Sequence, residues 1–135
     1  MKNILFRLIT VLTFVSTLPL STYVFAGDDP SIKGDLRANI VSSMSQFVNK
    51  QTINGKMHLY DAVAGNMLNL EFVELHKGIV NKEGFYVSCA DFKDQNGRAI
   101  DVDFLVLPSN GKLITTQGVV HSINGDKRDY HLEKM

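Results

Sequence analysis

The sequence has no tryptophan and only one cysteine, Cys89. A single cysteine cannot form an intramolecular disulfide, so the core must stand without covalent staples. No Gly-rich phosphate loop and no serine nucleophile elbow is present. The four histidines, His58, His76, His121 and His131, show no HxH, HxxxH or CxxC-type spacing, so no zinc site, no other metal and no cofactor is predicted. An excess of charge of one sign is also lacking, with 14 basic and 14 acidic side chains in 135 residues. That balance excludes the basic stripe of a nucleic-acid binder and any polybasic cluster for anionic lipid.

What is present begins with a leader. Lys2 and Arg7 are followed by an uncharged run from Leu8 to Leu20, and Val24-Phe25-Ala26 puts small residues where a signal peptidase reads. The pattern predicts a signal peptide over residues 1–26, cleaved before Gly27, and an exported protein, periplasmic or secreted. A membrane anchor would need about 20 apolar residues, and Thr10, Thr13, Ser16, Thr17 and Pro19 interrupt this run. No membrane association is expected after cleavage. The remaining 27–135 is the length of one domain, with 12 basic against 14 acidic residues and a net charge of −2.

Asp29 as N-cap and Pro30 at the first helical position predict a helix from there to Lys50 or Gln51. Ile32, Leu36, Ile40, Met44, Phe47 and Val48 recur at spacings of three and four, an apolar stripe that must pack on something, most simply a sheet. From Lys56 onward the pattern is of strands: 56–61, then 67–77, whose shift of apolar register fits a bulge near Phe72-Val73 or a middle buried on both faces, then a turn region at 78–83 into which Ile79-Val80 can extend the strand. After the central hairpin come 112–123 and a short strand around 130–132. Asn-Gly pairs at 96–97, 110–111 and 124–125 predict a meander joined by tight turns.

The central hairpin, residues 84–107, carries Cys89 and four aspartates. A two-residue turn at Asn96-Gly97 pairs Gln95 with Arg98, Cys89 with Phe104 and Val87 with Val106. Cys89 then joins an apolar face and is expected to be buried and inert, while Asp101 and Asp103 point the other way. A shift by one residue would set Cys89 against Asp103 and Asp91 against Asp101, which like-charge repulsion disfavours.

Two constellations could carry chemistry. Asp91, Asp94, Asp101 and Asp103, with His76 or His121, could hold a hard cation or shift one another's proton affinities. The competing expectation is that Asp94 stabilises its turn and Asp61 caps the loop 62–65. Cys89 as a nucleophile would need an electropositive setting, and its neighbours Ser88, Ala90 and Asp91 supply none.

One amphipathic helix followed by antiparallel strands resembles the cystatin-like superfamily, which includes cystatins and the NTF2-like domains. The resemblance covers residues 29–132 by element order. It implies an α+β fold, with one N-terminal helix packed on a curved antiparallel sheet of four to six strands. Cystatins block proteases with Gln-x-Val-x-Gly in the first hairpin after the helix. Here Gln117-Gly118-Val119-Val120-His121 departs at its last position and lies late in the chain, so inhibition is not implied. NTF2-like domains hold a small ligand or dimerise through the sheet.

The expected function is therefore a non-enzymatic binding module for a small ligand, a protein partner or a second copy. Its contact face would carry Phe92, Asp101, Asp103, Leu105 and Leu107. The alternatives are a small enzyme pairing Asp101 or Asp103 with His58, His76 or His121, and a cation site at Asp91 and Asp94.

Overall fold

A computed structural model describes residues 27–129. The leader over 1–26 and the strand expected around 130–132 lie outside the described residues. Helix α1 spans Gly34–Gln51, followed by β1 (Thr52–Ile53), β2 (Lys56–Asp61), β3 (Asn66–Lys82), β4 (Phe85–Lys93), β5 (Ala99–Ser109), β6 (Lys112–Ile123) and β7 (Asp126–Lys127). The strands form one antiparallel sheet in sequence order, with the first and last unpaired to each other. The class is α+β, with seven strands rather than four to six because two pairings of only two residues extend the edges. Among the described residues no helix is long and apolar enough to cross a membrane.

The helix ends where its periodicity ends, at Gln51, but begins later than the Asp29-Pro30 signal predicts. Asp29 makes a turn of its own instead. Its carbonyl accepts the Ile32 N–H and its side chain accepts the Ser31 N–H, while its own N–H donates to Ile79 O. Gly34 then takes φ 57°, a left-handed conformation that glycine adopts without strain and that separates this turn from the helix. The expected stripe faces inward all the same. Ile32, Ile40 and Met44 are fully buried, and Leu36, Phe47 and Val48 pack at the margin.

The sheet side of this core is supplied by Leu68, Leu70, Ala90, Phe92, Ile100, Val102, Phe104, Val106 and Val120. Phe104 makes an edge-to-face contact with Phe47 of the helix, with ring centroids 5.9 Å apart. One buried polar contact fixes the helix on β6. Ser43 Oγ accepts the Thr115 backbone N–H at 2.7 Å and shares a second hydrogen bond with Thr115 Oγ1 at 2.9 Å. Ser43→Ala orphans that buried N–H, and the unfolding free energy in urea should fall by about 1–3 kcal/mol. A change under about 0.5 kcal/mol would show the bond to be incidental.

The sheet is strongly coiled. Four strand spacings separate β2 from β6, about 19 Å on a flat sheet. Yet Leu59 Cδ1 of β2 lies 3.6 Å from where a Cβ on Gly118 of β6 would sit. That same Cβ would press on Val102 at 3.2 Å and Phe104 at 3.3 Å, so glycine is what lets the ends of the sheet approach. Asp61 at the end of β2 and Arg128 just past β7 meet in an ion pair at 2.5 Å across this gap.

Two expectations about the strands need correction. The strand does extend through Ile79-Val80, but it runs on to Lys82, pairing Asn81 with Tyr86 and Lys82 with Phe85, so that of 78–83 only Glu83 is turn. The central hairpin also adopts the register disfavoured above: Cys89 opposes Asp103, Asp91 opposes Asp101 and Ser88 opposes Phe104. The turn is the cause. At Asn54-Gly55, Asn110-Gly111 and Asn124-Gly125 both residues have positive φ, as a two-residue hairpin turn requires. At 96–97 only Gly97 does. Asp94 Oδ1 accepts the N–H groups of Asn96 and Arg98, and Asp94 Oδ2 accepts from Arg98 Nε. This lengthens the connection and moves the last pair to Lys93 and Ala99.

Candidate functional site

An odd shift of register exchanges the faces of a strand. Phe92, expected on the contact face, therefore lies in the core against Phe72 and Phe104. Asp101, Asp103, Leu105 and Leu107 remain together on the face away from the helix, hereafter the outer face. They are joined there by Cys89 and Asp91, and Cys89 is no longer packing beside Phe104.

The two histidines near these residues, His76 and His121, sit in irregularities of the ladder. Leu75 pairs with Ala90 and Ile79 with Ser88, so His76, Lys77 and Gly78 together oppose Cys89. Two carbonyls of this bulge find partners off the ladder: Arg37 Nη1 donates to Lys77 O at 2.5 Å, and Ser88 Oγ donates to Gly78 O at 2.8 Å. His121 is an extra residue as well, because Ser122 pairs with Asp101 and Val120 with Val102. Its carbonyl accepts the N–H of Arg128 at 2.8 Å. Such bulges turn a side chain out of strict alternation, and both turn an imidazole onto the same patch.

The resulting geometry is close. His76 Nδ1 lies 2.8 Å from Cys89 Sγ, and His76 Nε2 lies 3.0 Å from Asp91 Oδ2. His121 Nδ1 lies 3.3 Å from Asp101 Oδ2 and 3.2 Å from Asp103 Oδ1. Cys89, Asp103 and His121 are buried, whereas the His76 and Asp91 side chains are 30% and 41% exposed. The patch is thus closed at its centre and open on the β3 side. Hydrogen bonds with Asp101 and then Asp103 raise the His121 pKa to about 10 against the opposing effect of burial. Asp101 Oδ1 is buried with no hydrogen-bond partner among the described residues.

Donor atoms of His76, Cys89 and Asp101 lie within 4.8 Å of one another, as do those of Asp101, Asp103 and His121. Two triplets sharing one carboxylate can hold a cation. A thiol, imidazole and carboxylate in line can also activate sulfur, but Cys89 is 1% exposed and leaves a substrate no approach to its sulfur. The groove at the β6–β7 end, lined by Arg98, Ile123, Asn124, Asp126, Lys127 and Arg128, includes no member of the cluster.

Other candidate residues lie elsewhere. Asp94 is absorbed by its turn: burial alone would raise its pKa, but the hydrogen bonds from Arg98 and Asn96 hold it below the usual carboxylate value. Asp61 caps its loop by accepting the Val63 and Ala64 N–H groups. His58 pairs with Asn69 on β3 and belongs to neither donor triplet. Cys89 as a member of the site was missed, since only the true register places it there. No family model matches the chain, and no curated protein or solved structure matches it either.

Proposed function

We propose that this protein is an exported, non-enzymatic binding module that holds a divalent metal ion on the outer face of its sheet. The observation that carries this reading is the convergence of donor atoms into two triplets that share Asp101. Opposed aspartates on neighbouring strands repel one another and weaken a sheet. A divalent cation offsets that repulsion directly, being the largest local charge in such a site. Export is supported by the charge and hydropathy pattern of residues 1–26. The helix-then-meander order resembles that of the cystatin-like superfamily, and such a resemblance carries no activity.

The test is a panel of ions on purified protein stripped with a chelator. At least one of Zn²⁺, Co²⁺, Mn²⁺, Ca²⁺ and Mg²⁺ should bind stoichiometrically by calorimetry. At a hundredfold over its Kd it should add about 2.7 kcal/mol of stability, or about 10–20 °C in Tm. Asp101→Asn should abolish most of that gain. If no ion on the panel shifts Tm at millimolar concentration, the reading is wrong.

A further inference from the structure

Granted an ion on this face, an inference that rests on the reading above, the geometry points to a zinc-class transition-metal ion bound by Cys89 Sγ, His76 Nδ1 and the Asp101 carboxylate. Asp91 and the Asp103–His121 pair are then the groups that orient these donors.

The donor set selects the class. Calcium and magnesium take oxygen ligands, whereas thiolate and imidazole favour zinc and its transition-metal neighbours. Only the triplet His76–Cys89–Asp101 contains sulfur, and its three donors come from three adjacent strands, β3, β4 and β5. Three protein donors leave one tetrahedral position for water or an exchanging ligand. The exposed side of His76 and Asp91 gives that position access to solvent.

Two of the three donors, His76 and Asp101, also have the supporting contact that metal sites use. A metal-bound histidine typically gives its other ring N–H to a carboxylate, which fixes tautomer and ring angle. His76 directs Nε2 at Asp91 Oδ2, 3.0 Å away, and so presents Nδ1 toward Cys89. Asp101 is held through Oδ2 by His121, while its Oδ1 is the buried acceptor without a hydrogen-bond partner among the described residues. An ion between Asp101, Cys89 and His76 would use that oxygen.

The second triplet is the poorer site. His121 Nδ1 already faces two carboxylates at 3.2–3.3 Å, and to ligate an ion it would have to give up both contacts. It serves instead to hold Asp101 and Asp103 at fixed angles. The bulges at His76 and His121 have the same meaning: each gives up ladder regularity to place an imidazole.

Titration of the purified, metal-free protein with Co²⁺ and Zn²⁺ tests the assignment. The wild-type protein should bind one equivalent and show the near-ultraviolet sulfur-to-cobalt charge-transfer absorption of a thiolate ligand. Cys89→Ser should lose that band, and Cys89→Ser and His76→Gln should weaken Zn²⁺ by more than about 100-fold. Asp91→Asn and His121→Gln should weaken it by about 10–100-fold, the range for groups that orient a ligand. His58→Gln should bind as the wild type does.

Should a variant fail to fold, the wild-type protein alone gives a second measurement. In X-ray absorption at the zinc edge, the wild-type complex should show a sulfur scatterer at about 2.3 Å. Zn²⁺ binding without the charge-transfer band or the sulfur scatterer would overturn this assignment while leaving an ion-binding face intact. Binding of Ca²⁺ or Mg²⁺ alone would do the same. Two equivalents of zinc would overturn the orienting role of His121. Absence of any ion would remove the proposed function itself.

Discussion

Replacing Arg128 by alanine should destabilise the protein by about 3–5 kcal/mol, the usual cost of leaving one member of a buried ion pair alone. The partner is Asp61, whose side chain is fully inaccessible. Its Oδ1 accepts two loop N–H groups, and its Oδ2 faces Arg128 at 2.5 Å. With the guanidinium gone, the carboxylate stays buried with only those N–H groups to compensate it. Urea unfolding at pH 7 measures the effect, and a drop under about 1 kcal/mol would mean that water reaches Asp61 in the folded state. The double variant Asp61→Asn with Arg128→Met carries no charge and should recover much of the loss, since neutral replacements of a buried pair are tolerated better than broken ones. A double variant no better than Arg128→Ala would place the effect in packing.

The second large effect is a loss of stability in base. His121 has a folded pKa raised from 6.5 to about 10 by Asp101 and Asp103, with Cys89 on β4 and His76 on β3 lying beyond Asp101. A group whose pKa is raised on folding stabilises the native state fully below its unfolded value. That contribution disappears as pH climbs through the folded value. Metal-free protein should therefore lose stability steadily from about pH 6.5 toward pH 10. The total from this group is on the order of several kcal/mol, at about 1.4 kcal/mol per pKa unit. Lysine, tyrosine and thiol groups also titrate in this range, so the reading to take is the difference between wild type and His121→Gln. That difference should shrink with rising pH. A constant difference between pH 7 and 9.5 would show His121 to be neutral in the fold.

The two histidines also explain why sequence reasoning chose the wrong hairpin register. Opposing Asp91 to Asp101 is unfavourable for a bare sheet. Here His76 lies on Asp91 and His121 on Asp101, contacts made across 15 and 20 residues through bulges that no local pattern announces. Asn-Gly at 110–111 and 124–125 formed the tight turns expected of it. At 96–97 the same dipeptide did not, because Asp94 two residues earlier competes for the backbone N–H groups. A single side chain thus decided which face carries Cys89. The helix stripe, the capping role of Asp61, the turn role of Asp94 and the shared face of Asp101 and Asp103 depend on short spacings, and all were legible. The helix start was not, since Asp29 spends its capping capacity on the turn at 29–32. Local rules broken without local compensation tend to mark working sites, and here the breach and its compensation lie in one cluster.

The order of the sheet has a consequence for how the chain reaches this state. Every strand pairs with its neighbour in sequence, so the hairpins can close early and cheaply, as expected for locally connected topologies. The helix is the exception. Its buried polar anchor, Ser43 to Thr115, joins residues 72 apart, and the Asp61–Arg128 pair joins residues 67 apart. A growing chain therefore carries the apolar stripe of α1 only partly covered until β6 has been made, and the Asp61–Arg128 pair can close only when Arg128 arrives. The last-made part of the described chain thus fastens the end of β2, a strand made 67 residues earlier.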